Sequence, residues 1–275
     1  MPRRDSTKTR TRTLSVALAL ALALAAVPGA SAQDLLRHLD LNSPEFTQAD
    51  TTRAELESAL SATGPGMTLD LSGRRLNGLD LAGLDLRRTR LQAARLNRAR
   101  LAGANLDGVS LDQVWALDAD LTGASLRGAS LFAAQLMGAR LDGADLTGAR
   151  IPADLSRASL KGARLDRADF SADMKNQSMG LIRGILRSAR LDGASLADAS
   201  LARAVLEFAS LRDARLTGAN LAGSDLAGAD LHGADVTGAD FAGADVTSAH
   251  LQDLVGRDRA VNLQRAKNLD RAYLD

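Results

Sequence analysis

The stretch "GADLHGADVTGADFAGADV" (residues 228–246) repeats one phrase four times: Gly, Ala, Asp, then a bulky apolar residue, returning every fifth position. On an α-helix, steps of five advance by ~140°, so the apolar residues would spiral over every face. On a continuous strand an odd step changes sides each time, leaving half of them in water. A chain that turns once per repeat avoids both faults. Each short extended segment then presents Ala and the bulky residue, two apart, to the inside and the residue between them to the outside. Glycine two places after the bulky residue suits the corner, because it has no Cβ to clash there.

The same rhythm runs through most of the chain. Apolar residues recur every five positions from Leu71 to Leu111, from Leu121 to Ile151, from Leu155 to Phe170, and from Leu181 to Leu251. Two breaks interrupt it. Ile151 to Leu155 is one residue short, and Phe170 to Leu181 is one residue more than two repeats. The slips cancel, so the later coils are expected in the earlier register. "SADMKNQSMG" (171–180) is read as a bulged or looped side, with Met174 and Met179 exposed if it is a binding loop. An insertion tolerated at a corner is the plainer reading, since loop length costs little.

With "GANLAGSDLAGAD" and "GARLDGADLTGAR" in view, the chain resembles the pentapeptide-repeat proteins, whose motif is A-(D/N)-L-x-x. The match covers about 69–254. The resemblance implies an all-β solenoid: a right-handed quadrilateral β-helix with four repeats per coil. About nine coils follow, or roughly 45 Å of rod at strand spacing.

The domain organisation reads as a signal peptide (1–32), an N-terminal extension with a short capping helix (33–68), the repeat β-helix (69–256) and an irregular C-terminal coil or cap (257–275). A basic front (Arg3, Arg4, Lys8, Arg10, Arg12), the apolar run 14–27 and small residues before Ala32 and Gln33 give the signal pattern, with cleavage between those two. The apolar run is shorter than the ~20 residues that span a bilayer, so no stable membrane span is expected. Removal of the segment leaves a formal charge of −3. Thr52 with Glu55 forms a capping box, Ala54, Leu56, Ala59 and Leu60 an apolar stripe, and Gly64-Pro65-Gly66 a stop. "VNLQRAKNLDRA" (261–272) repeats every six residues, and Tyr273 is expected to cover apolar surface.

With twenty residues per coil, Asp80, Arg100, Asp120 and Arg140 fall in one outward column. Arg75, Arg95 and Trp115 fall in the next, where an arginine could lie over the Trp115 ring. Charge is uneven along the axis. Arg74, Arg75, Arg87, Arg88, Arg90, Arg95, Arg98 and Arg100 face only Asp80 and Asp85 within 74–100. They form the candidate binding surface, with Trp115 at its edge. Residues 216–256 hold no Lys or Arg, and Asp225, Asp230, Asp235, Asp240 and Asp245 make an acidic surface on which Asp225 and Asp245 stack directly.

Chemistry is thinly supplied. There is no cysteine, which excludes disulfides, thiolate metal sites and thiol nucleophiles. No phosphate-binding loop, hydrolase elbow or zinc-protease motif appears. His232 and His250 fall near Asp230 but lack the further ligands a metal needs. "NQS" (176–178) fits the glycosylation pattern on a short match. No catalytic residue, metal or cofactor is expected.

The functional expectation is an exported, periplasmic or extracellular, non-catalytic scaffold whose faces contact a protein or an envelope polymer. End-to-end association of copies, acidic end on basic end, is a further expectation; nucleic acid is not expected as a partner. The alternative, implied by the resemblance, is a DNA mimic that binds DNA gyrase or another nucleic-acid enzyme through its acidic C-terminal coils.

Overall fold

The computed structural model describes residues 39–172 and 182–275. The chain divides into two units, Met1–Leu41 and Asn42–Asp275. The second unit holds the repeat coils and both of their ends. The signal segment with Ala32 and Gln33, together with His38, Met174, Met179 and the NQS triplet, lies outside the described residues.

Each repeat closes one tight turn. The Ala124 amide donates to the Leu121 carbonyl at 3.0 Å across a corner whose third residue, Gly123, has φ +63°. A positive φ confined to that position is the signature of a type II turn. Four turns make a coil, and successive coils join through parallel bridges. Arg75, Arg95, Trp115 and Gln135 stack on one face, and Asp80, Arg100, Asp120 and Arg140 on the next. The two remaining faces start at Asp85 and at the paired strands β1 (Leu69–Asp70) and β2 (Thr89–Arg90). Three of the columns are nine or ten residues tall, and the fourth runs eight residues from Ser110 to Val261 beyond the paired strands. Both columns read from twenty-residue spacing are therefore present, on a four-sided β-helix.

Inside lie the leucines and alanines. Leu126, Leu141, Leu226, Phe170 and Phe241 are fully buried, and Ala124, Ala144 and Ala234 are equally closed off. Ala116 takes the place of a leucine where the five-residue train pauses.

The aspartate of each repeat has a local task. Asp225, Asp230, Asp235, Asp240 and Asp245 each accept the amide two residues on, at 3.0–3.1 Å. A short polar side chain that bonds its own backbone in this way fixes a turn. Where serine replaces the aspartate at 125 and 130, a corner aspartate of the preceding coil takes over. Asp107 accepts the Ser125 hydroxyl and the Arg127 amide, and Asp112 accepts the Ser130 hydroxyl and the Phe132 amide. At these corners a carboxylate comes either from the same coil or from the coil before.

The rhythm breaks act differently from the sequence expectation. Gln135 pairs with Asp154, a step of nineteen, and Asp154 pairs with Ile185, a step of thirty-one. The Gly184 amide donates to the Phe170 carbonyl at 2.7 Å. The chain thus rejoins the coil one corner after it left, with eleven residues more than a twenty-residue step. One residue lost and eleven gained make ten, two whole repeats. The phase within the repeat returns, but the face does not. Counting twenties from Arg75 leads to Asp235, yet Asp235 stands on the Asp85 face, and the Arg75 face continues through Asp225 and Asp245.

Before the first coil, two helices form a strap: α1 (Pro44–Thr47) and α2 (Arg53–Ala62). The capping box of Thr52 and Glu55 opens α2, and Leu56 enters the core. Ala54, assigned to the apolar stripe, is exposed instead. The turn α1 has no apolar periodicity to announce it; its Phe46 is buried.

At the other end the bridges lengthen. Asp240 pairs with Val261, Asp245 with Lys267 and His250 with Tyr273, so the last coil has six-residue sides. Three short 3-10 turns begin after Gly256, Asn262 and Asn268, all left-handed. Tyr273 does not cover the core. It is half exposed and stacks on His250, with ring centroids 4.6 Å apart.

Candidate interaction surfaces

The basic coils lie beneath the strap, and most of their arginines are engaged. Arg74 and Arg75 reach Asp50 at 2.9 and 3.8 Å, and Arg95 pairs with Glu45. Arg87 pairs with Asp85 at 2.7 Å, Arg90 with Asp70 at 3.6 Å and Arg100 with Asp80 at 3.3 Å. The Arg87 hydrogen bond holds the Asp85 carboxyl down to about 2. Arg88 donates to the carbonyls of Thr63 and Gly64. Arg98 alone of the eight has no side-chain partner among the described residues. Over 42–100 the strap and first coils carry nine arginines against seven carboxylates, so the local excess is two. The sequence window began at Arg74 and missed the acids that fold back onto it.

Trp115 sits where the column arithmetic placed it, but its contact differs. Phe46 meets it edge-on, with centroids 5.2 Å apart, and Arg95 lies over the Phe46 ring at 5.4 Å. The expected arginine–tryptophan stack is replaced because α1 inserts a ring between them.

Asn77 and Asn97, which the sequence reading did not single out, anchor this arrangement. Both are buried corner residues. The Asn77 side-chain amide donates to the carbonyls of Glu45 and Gln48, and that of Asn97 to the carbonyl of Phe46. Their oxygens accept amides one coil on, from Asn97 and Leu117. "LNG" at 76–78 and "LNR" at 96–98 look like ordinary corners, so only the double role of the amide could have marked them.

The acidic coils are less exposed than their sequence suggests. All five aspartates are half-buried against their own turns, and cations from outside the window reach Asp230, Asp235 and Asp245. Arg212 binds Asp230 at 2.9 Å, and Lys267 helps keep the Asp245 carboxyl below its usual value, after its bond from the Thr247 hydroxyl. Asp225 is the exception. Burial raises its proton affinity, and Glu207 and Asp245 beside it add to the effect.

The sign of that shift yields a prediction. A carboxyl whose folded-state value lies above its unfolded value stabilises the fold at low pH and costs stability as pH rises through the folded value. Asp225→Asn keeps the oxygen that accepts the Ala227 amide and removes the charge. Its melting temperature at pH 7 should therefore exceed that of the parent, and the gain should vanish below about pH 3.8, the ordinary aspartate value. Asp245→Asn should do the opposite, destabilising at pH 7. Thermal melts at both pH values check the pair; equal shifts for the two would contradict the burial argument.

A cavity of about 560 Å³ lies near the C-terminal end, lined by Arg212, Asp230, His232, His250, Asp253 and Arg257 among others. His232 lies 3.6 Å from Asp253. The sequence reading brought the two histidines together beside Asp230, and the structure does so too. Among the described residues no group of three or more potential ligands is arranged to hold a metal, and no helix is long and apolar enough to cross a membrane.

A family model and one solved structure agree with this architecture. The family model described as pentapeptide repeats matches in eight copies, over 70–114, 118–151, 153–172, 185–218 and 214–253. No curated protein matches the chain. Among solved structures, HetL of the cyanobacterium Nostoc sp. strain PCC 7120 is a pentapeptide repeat protein involved in heterocyst differentiation regulation. It is 30% identical, with 81% of this chain and 94% of HetL covered at a TM-score of 0.64. QnrB1, a plasmid-mediated fluoroquinolone resistance protein, is 20% identical over 77% of this chain and 94% of its own, at a TM-score of 0.34. A pentapeptide repeat protein from the Arabidopsis thaliana thylakoid lumen is 30% identical over 41% of this chain and 76% of its own, at a TM-score of 0.25.

Proposed function

The chain belongs to the pentapeptide-repeat family, and on that footing we propose that it is an exported, non-catalytic scaffold that uses its β-helix faces to hold a protein or an envelope polymer. The observation that carries this reading is the set of four stacked outward columns. They offer long, regular rows of polar side chains, a surface fit for an extended partner. Export rests on the signal pattern at 1–32. Membership of the pentapeptide-repeat family supports a scaffold or interaction role.

Within this reading the arginines that do not hold the strap are the binding groups. Arg90, Arg98 and Arg100 are exposed, whereas Arg74, Arg75 and Arg95 are tied to Asp50 and Glu45. Changing Arg90, Arg98 and Arg100 to Ser should weaken retention on anionic envelope material and flatten its salt dependence. The melting curve should barely move, since exposed ion pairs contribute under ~1 kcal/mol each. Identical retention by parent and triple variant would remove the basic face from consideration. N-terminal sequencing of the protein from cell fractions should find Gln33 first; an uncleaved cytoplasmic chain would overturn export. The DNA-mimic alternative has weaker support, because the aspartates it needs as phosphate substitutes are half-buried turn acceptors.

A further inference from the structure

The strap has two parts that hold to the rod by separate means. Its rear part, α2, is capped by its own neighbourhood: Thr52 accepts the Glu55 amide, and Glu55 accepts the Thr52 amide and the Thr51 hydroxyl. Leu56 enters the core, and Arg53 donates to the Asp80 and Ala82 carbonyls. Arg88 donates to the Thr63 and Gly64 carbonyls at the far end of α2. None of these contacts uses the front part, residues 43–50. Thr51 therefore joins two pieces that are anchored independently, and the front arm can leave while α2 stays.

The groove under the arm combines backbone pairing with places for particular side chains, the usual means by which a sheet edge takes a peptide. Ala49 pairs antiparallel with Leu76, and the Asp50 amide donates to the Arg75 carbonyl at 2.8 Å. Asn77 and Asn97 hold the carbonyls of Glu45, Gln48 and Phe46. Glu45 meets Arg95, Phe46 meets Trp115, and Asp50 meets Arg74 and Arg75. The fit is nevertheless incomplete. Arg95 reaches Glu45 through one terminal nitrogen, while its Nε is buried and has no hydrogen-bond partner among the described residues. A guanidinium can offer a carboxylate two parallel donors, and a buried donor left unmatched weakens the complex.

We propose that this groove is a docking site for an acidic–aromatic segment of a partner protein, with the arm as its built-in competitor. Charge complementarity and the arm itself define the occupant. It carries a carboxylate beside an aromatic ring and an aspartate four residues after that ring, as Glu45, Phe46 and Asp50 do. Arg74, Arg75 and Arg95 meet its acids, and Trp115 meets its ring. The Thr51 joint keeps the arm at an effective concentration on the order of millimolar, so a segment that merely equals it cannot displace it. A segment that seats a carboxylate on both donors of Arg95 gains the bond the arm leaves unmade.

Trp115 is the chain's one tryptophan, so its fluorescence reports on the groove directly. Glu45→Gln with Phe46→Ser weakens the arm and leaves the groove intact. Trp115 emission should then shift to the red and become more open to acrylamide quenching. The peptide Ser-Pro-Glu-Phe-Thr-Gln-Ala-Asp, the arm's own sequence at 43–50, should reverse both changes saturably. It should bind the variant at least about tenfold more tightly than the parent, whose arm competes at high effective concentration. Replacing its Phe by Ser should cost about tenfold in affinity. A free peptide is not held by the Thr51 joint and can seat its carboxylate on both donors. Arg95→Lys, which keeps the charge and loses the fork, should therefore also cost the peptide about tenfold. Trp115 as protected in the variant as in the parent overturns the proposal, since the arm would not be what covers the groove. So does a peptide that fails to reverse the exposure, that binds as well without its ring, or that ignores Arg95→Lys. A two-chain species on mixing parent and variant would make a second copy's arm the occupant, and the proposal would fall.

Discussion

Phe241→Ala should lower the unfolding free energy by about 3–5 kcal/mol, whereas Phe208→Gly should leave it unchanged or raise it. The two rings differ in every physical respect. Phe241 is fully buried in the inner stack. Its removal forfeits the transfer of a whole ring from water and leaves a hole that stiff neighbouring coils cannot close. Phe208 occupies a corner at φ +57° and is about two-thirds exposed, with its ring lying over Gly228. A left-handed backbone costs a side-chain-bearing residue roughly 1–2 kcal/mol, and glycine is free of that penalty. Opposing this are the ring's contact with Gly228 and the larger entropy glycine loses on folding. Urea melts of the two variants decide the matter. A larger loss for Phe208→Gly would mean that the exposed ring is held by something other than this rod.

The period of five was legible because it is a geometric demand repeated down the chain. Leu126, Leu141 and Leu226 could be assigned to the inside from spacing alone, since a residue that returns every turn must face one way. The number of sides was not legible in the spacing, as any closed turn satisfies it; the family resemblance supplied four. The excursion between Phe170 and Gly184 hid itself arithmetically. A net gain of ten residues restores the phase of the repeat, so the sequence reads as if nothing had moved. Charge was misjudged for a related reason. A window along the sequence counts residues that are neighbours in the chain, whereas on a coil the neighbours of Asp230 include Arg212, eighteen residues back. Asp50 and Glu45 lie in a segment whose path over Arg74, Arg75 and Arg95 no local pattern foretells.

The strongest test of that path is Asn97. It is nearly fully buried, and its side chain has two partners of opposite kind: the Leu117 amide, which donates to Oδ1 at 3.0 Å, and the Phe46 carbonyl, which accepts from Nδ2 at 3.3 Å. Asn97→Ala abandons both. At about 1–3 kcal/mol for each of the two buried polar groups left without a partner, the expected loss is roughly 2–6 kcal/mol. Asn97→Asp separates the two roles. It keeps an oxygen for Leu117, as Asp107 does for Arg127, but it sets a carboxylate against the Phe46 carbonyl. Burial of that charge without a donor should cost at least as much as the alanine. Both variants should loosen α1, because Phe46 reaches Trp115 only while its carbonyl is held. Limited proteolysis should then cut within 42–63 well before the coils, while the parent resists at both places. If Asn97→Asp melts with the parent and its strap stays protected, the Asn97 amide is not what fastens the strap to the rod, and the paired charges at Asp50 and Glu45 must carry that task.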